Sequence, residues 1–127
     1  MTALKISLIG VLCSFTFCLK AQTNAAQRVI SAFEQGNSTV LMEMMNDRIE
    51  FDIINSLANV VSKQQAHLIL SDFFRRNIPQ SLVITSSEIK AKACHFTATL
   101  QTEKKAVFYI SFMMQNDLIQ QLRIEQQ

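Results

Sequence analysis

The stretch from Ser81 to the C-terminus constrains the fold most. Four runs, SLVITSSEIK (81–90), ACHFTATLQT (93–102), AVFYISFMMQ (106–115) and LIQQLRIE (118–125), are rich in β-branched and aromatic residues. Only a few polar residues separate them, so they read as strands joined by tight connections, which pair antiparallel. Side chains alternate between faces, and a one-residue slip turns a whole row over. Cys94, Phe96, Ala98 and Leu100 form one row, and Phe108, Ile110, Phe112 and Met114 the next. The rows share a face when Leu100 lies opposite Phe108, with a turn at Glu103-Lys104-Lys105. The same test sets Phe112 opposite Leu122 and Ile110 opposite Ile124, with a turn around Asn116-Asp117-Leu118. One face is then apolar, with Gln120 as its polar exception. On the other face His95, Thr97 and Thr99 oppose Met113, Ser111 and Tyr109, and these oppose Gln121, Arg123 and Glu125.

Helical periodicity dominates upstream. In NAAQRVISAFEQG (24–36), Ala26, Val29, Ile30 and Phe33 make one apolar face. Asn24 and Gln27 have the spacing of a capping box, and Gly36 suits a left-handed stop. A short helix, TVLMEMMN, follows Ser38 as cap, with Val40, Leu41, Met44 and Met45 inward. RIEFDII (48–54) alternates as a half-buried strand, and NSLAN (55–59) reads as a polar connection. SKQQAHLILSDFFRRNIPQS (62–81) carries a second capping box, Ser62 with Gln65. Ala66, Ile69, Leu70 and Phe73 line its inward face, while His67 and Phe74 lie beside it. Arg75 and Arg76 fall in the last turn, where cations favour the carbonyl end of the helix dipole. Pro79 biases Ile78 away from helical geometry and ends the helix. Phe73 is thus expected in the core, Phe74 at its boundary.

The chain opens differently. MTALK is followed by ISLIGVLCSFTFCL, apolar from Ile6 to Leu19, and then by KAQ. A basic start, a short apolar run and a small residue describe a secretory signal peptide. Cleavage after Ala21 is expected to leave residues 22–127 as one domain, exported to the periplasm or secreted, with no membrane anchor. Lys5 and Lys20 leave with the leader, so ten basic residues face ten acidic ones in the remainder. Such a balance has none of the basic stripe that a nucleic-acid partner requires. Cys94 is the one cysteine outside the leader, which excludes an internal disulfide.

The order helix, short helix, strand, helix, curved antiparallel sheet is that of the nuclear transport factor 2-like cone, an α+β fold with its sheet packed on N-terminal and middle helices. Three segments carry a more specific likeness: QAHLILSDFFRRNIPQS (65–81), ATLQTEKKAVFYISFMM (98–114) and LIQQLRIE (118–125). They resemble a family of small exported bacterial proteins, domain of unknown function 4783. The resemblance implies the cone fold and export, and it attaches no catalytic role to any matching residue.

The residues themselves offer little chemistry. A phosphate-cradling loop needs glycines, and Gly36 is the one glycine beyond the leader. A zinc site needs three or four close ligands, but Cys94 and His95 are strand neighbours pointing to opposite faces and His67 stands alone. No metal and no cofactor are expected, and Cys94 reads as a small core hydrophobe. In the wider superfamily, isomerases and dehydratases place acids and bases inside the cone. Here the inward rows are apolar, while Glu50, Asp52, His95 and Tyr109 point outward by alternation. No catalytic residue is expected. The leading expectation is an exported binding or protein-interaction module. Thr97, Tyr109, Ser111 and Arg123 on the outer sheet face would meet a protein partner or a second copy. His67, Phe74 and Gln120 are candidates for a cone mouth that admits a small apolar ligand. The alternative is an isomerase- or dehydratase-type enzyme acting on such a ligand, with His67 near the mouth.

Overall fold

The structure is a computed structural model that describes residues 24–54, 59–90 and 92–127. The expected signal peptide, 1–21, lies outside the described residues. Helix α1 is described over residues 24–35, so Asn24, the expected cap, is already helical. Gly36 ends α1 with φ +65°. Its N–H donates to Phe33 O, and Asn37 N–H donates to Ala32 O, the paired bonds of a Schellman stop. Helix α2 (Ser38–Glu43) is capped by Asn37, whose Oδ1 accepts from Val40 N–H at 3.1 Å. Ser38, expected as that cap, is the first helical residue, and its hydroxyl bonds that of Ser71 at 2.8 Å. Met45 is buried as expected, but as the first residue of strand β1 (Met45–Ile53). Helix α3 (Lys63–Arg76) starts as the sequence predicts: Ser62 Oγ accepts from Gln65 N–H at 3.1 Å.

After β1 come β2 (Asn59–Ser62) and the last four strands, β3 (Pro79–Ile89), β4 (Ala93–Thr102), β5 (Val107–Gln115) and β6 (Leu118–Gln126), all six in one sheet with the order β2-β1-β6-β5-β4-β3. The antiparallel registers of the last four match the row argument: Leu100 opposes Phe108, Ile110 opposes Ile124, and Phe112 opposes Leu122. Two features were not anticipated. Strand β2 begins at Asn59, the last residue of the segment read as a connection, and pairs antiparallel with β1. Strand β1 pairs parallel with β6, setting Asp52 beside Arg123.

The β5–β6 turn is also tighter than expected. Gln115 opposes Leu118, and the two central residues, Asn116 and Asp117, both have positive φ (54° and 62°). Asx residues tolerate such a turn, whose twist matches that of the flanking strands. The spare residue appears as a register shift: Met114 pairs with Ile119 and Met113 with Gln121, leaving Gln120 bulged. Further shifts at Gln80 and Thr85 bend β3, and bulges of this kind curve a sheet.

The core lies between the concave face and the helices. Phe33 from α1, Phe73 and Phe74 from α3, and Phe96, Phe108 and Phe112 from the sheet are all buried. Their rings touch in a continuous series. Phe108 meets Phe73 at 5.0 Å and Phe73 meets Phe74 at 5.5 Å. Phe33 meets both Phe74 and Phe112 at 6.1 Å, and Phe112 stacks on Phe96 at 5.1 Å. Phe74 is therefore a core residue, not a boundary one. α3 packs against α1 through Phe74 and against the sheet through Phe73, so it buries a wider arc than a single stripe.

Candidate functional site

The outer sheet face brings its four predicted residues together. Thr97 opposes Ser111, Ser111 opposes Arg123, and Tyr109 lies between Thr99 and Glu125. The face continues onto β3, where Val83 opposes Thr99. Tyr109 is 42% exposed and Val83 60% exposed, so this row shows an aromatic ring and an isopropyl group to solvent. Thr97 and Ser111 are half-buried.

Arg123 is held in place. Its Nε lies 3.3 Å from Asp52 Oδ2, and its Nη2 lies 2.7 Å from Glu125 Oε1. The side chain is still 55% exposed while Asp52 is mostly covered, at 18%. A guanidinium gripped from two sides loses little further rotamer freedom when it meets a partner, and its planar fork suits a carboxylate or carbonyl. Asp52 was the residue missed. It alternates outward in the sequence, but only the parallel β1–β6 pairing sets it beside Arg123. A shallow concavity of about 50 Å³ between Glu50, Asp52, Gln121 and Arg123 lies at the same seam.

The three residues expected at a cone mouth take separate places. Phe74 is in the core. His67 is a half-buried residue on α3. Gln120, in its bulge, accepts from Asn46 Nδ2 at 2.9 Å and donates to the Gln115 carbonyl at 3.3 Å. It secures β6 to the start of β1 and leaves the apolar row to Ile119 and Leu122, both fully buried. Among the described residues, Thr102 is the one buried polar side chain. Its hydroxyl closes the β4–β5 hairpin against Ala106. Cys94 packs at the edge of the core, and burial pushes its thiol pKa up, with a smaller push from the Asp117 carboxylate. A raised pKa keeps the thiol protonated and makes it a poor nucleophile. No group of three or more metal-ligating side chains occurs among the described residues.

A curved six-stranded sheet closed by helices on its concave side defines an α+β protein of the nuclear transport factor 2-like class. The chain belongs to the family described as domain of unknown function DUF4783, whose model matches residues 26–125. A family member from Bacteroides uniformis ATCC 8492 superposes with a TM-score of 0.73 and is 22% identical, covering 80% of this chain and 95% of that one. An NTF2-like protein of unknown function from Shewanella baltica OS155 gives 0.66 at 8% identity, covering 89% and 96%. A SnoaL-like polyketide cyclase (so described, as putative) from Jannaschia sp. CCS1 gives 0.60 at 13% identity, covering 82% and 85%. No curated protein matches the chain.

Proposed function

We propose that the protein is an exported, non-catalytic interaction module that contacts a protein partner through its outer sheet face. The observation that carries this reading is the contrast between the two faces of one sheet. The concave face is packed with touching phenylalanine rings, whereas the convex face presents an exposed Tyr109 beside a fixed, exposed Arg123. Tyrosine and arginine are enriched at interface centres and among the residues whose loss costs most affinity. An isomerase or dehydratase would need an acid or base poised inside the cone. The buried residues described there are apolar apart from Thr102.

The test is Arg123→Ala. Exposed ion pairs are each worth about 0–1 kcal/mol, so the variant, which breaks two of them, loses at most about 2 kcal/mol of stability. It should weaken self-association or partner capture by about 1 kcal/mol or more. Sedimentation of wild type and variant at matched concentrations reads the first, and affinity capture from the exported fraction reads the second. A monomer whose captured proteins do not change with Arg123→Ala contradicts the proposal. Turnover of a small apolar substrate that is lost in His67→Ala would establish the enzyme instead.

A further inference from the structure

We infer that the concavity between the C-terminal end of α3 and the β4–β5 hairpin binds a small organic oxyanion, a carboxylate or phosphate on a short apolar body. It encloses about 220 Å³ and is lined by Arg75, Arg76, Ile78, Thr102, Glu103 and Lys104. Its walls come from segments far apart in sequence and are tied together, since Glu103 N–H donates to the Ile78 carbonyl at 2.9 Å. The hairpin is fixed in turn: Thr102 N–H donates to the Ala106 carbonyl at 2.9 Å, and Ala106 N–H donates to Thr102 Oγ1 at 3.1 Å. A site on such supports keeps its geometry before a ligand arrives.

The arginines bond a side chain rather than the Phe73 carbonyl at the helix end. The last-turn carbonyl of Phe73 already accepts from Asn77 N–H at 2.8 Å and from Asn77 Nδ2 at 3.1 Å. Both guanidinium groups turn to Asp72 instead, Arg76 at 3.2 Å and Arg75 through its own hydrogen-bonded pair. A carboxylate offers about four acceptor positions, whereas two guanidinium groups carry ten N–H donors, five each. Asp72 therefore fixes the two forks side by side without exhausting them, and their side chains stay 76% and 72% exposed. Lys104 supplies a third cation, and Glu103 is the one acid in the lining. An oxyanion between the arginines and Lys104 gains charge-assisted hydrogen bonds, bidentate to a guanidinium. Ile78, half exposed, offers an apolar surface for a few carbons. The volume falls below the roughly 300–1,000 Å³ of drug-sized pockets, which restricts the ligand to a small anion.

The experiment is an amide-resolved NMR titration of the ¹⁵N-labelled protein, isolated from its native host, with inorganic phosphate and with butyrate. Sodium chloride at matched ionic strength is the reference. The expected result is saturable movement of the Arg76, Ile78 and Lys104 amides at roughly millimolar concentration. Butyrate should move Ile78 more than phosphate does. Arg76→Ala and Lys104→Ala should each weaken binding roughly tenfold, while Arg28→Ala on α1 leaves it unchanged. All three positions are exposed, and a thermal melt of each variant checks its fold. Non-saturating shifts, shifts reproduced by chloride, or equal affinity in Arg76→Ala and Lys104→Ala would overturn the assignment.

Discussion

Replacing Phe74 by alanine probes how the cone is filled. By helical angle alone, Phe74 sits beside the apolar stripe of α3 and should matter less than Phe73. The structure removes that difference: the two residues are 7% and 4% exposed. Each ring also makes two aromatic contacts. Phe74 meets Phe33 and Phe73 edge-on, and Phe73 meets Phe74 and Phe108 edge-on. Truncating a buried phenylalanine costs about 3–5 kcal/mol, and aromatic pairs of this geometry add about 0.5–1.5 kcal/mol beyond area. Phe74→Ala and Phe73→Ala should therefore each lose about 4 kcal/mol and agree within about 1 kcal/mol. That is a large share of the roughly 5–15 kcal/mol that holds a domain folded. Urea unfolding followed by circular dichroism measures both, and an unchanged slope with urea shows that stability rather than compactness has moved. The reasoning is refuted if Phe73→Ala loses more than about 3 kcal/mol while Phe74→Ala loses less than about 1.5 kcal/mol, as a boundary ring would.

Gly36→Ala should cost about 1–2 kcal/mol, since φ is +65° and a Cβ there would stand 3.3 Å from Pro79 Cδ; an unchanged melting temperature would contradict the strain. Burial, then Asp117, raises the Cys94 pKa above its ordinary value of 9.0, so the folded state holds this proton more tightly than the unfolded chain. The Cys94 contribution to stability is then complete below the unfolded thiol pKa and fades as pH rises through the folded one; Cys94→Ala should flatten that alkaline decline. Export predicts that mass spectrometry of the protein from its native host finds residues 1–21 removed, and an intact N-terminus in the cytoplasm would exclude it.

The sheet from β3 to β6 was legible because two-residue alternation leaves few registers that keep Phe96, Phe108, Phe112 and Leu122 on one face. Caps at Ser62 and Gly36 were legible for a similar reason, being local chemistry within four residues. The parallel β1–β6 pairing had no such signal. It joins Asp52 to Arg123 across most of the domain, and nothing in either strand's own pattern selects a parallel neighbour. Strand β2 escaped because NVVS is too short to display a period. The Gln120 bulge did leave a trace. Buried Ile119, Leu122 and Ile124 are spaced three and then two apart, and that break in alternation marks an extra residue in the strand. Phe74 was misplaced because a helical wheel assumes one contact surface, whereas α3 packs against both Phe33 and Phe108.

The central claim is that the convex face, not the cone, meets a partner. Site-specific photo-crosslinking in the native host tests it most directly. A photoreactive residue replacing Tyr109 is compared with one replacing Leu68, which is 68% exposed on α3. The account predicts a discrete protein adduct at position 109, diminished by Arg123→Ala, and none at position 68. An adduct at position 68 with none at position 109 would contradict it.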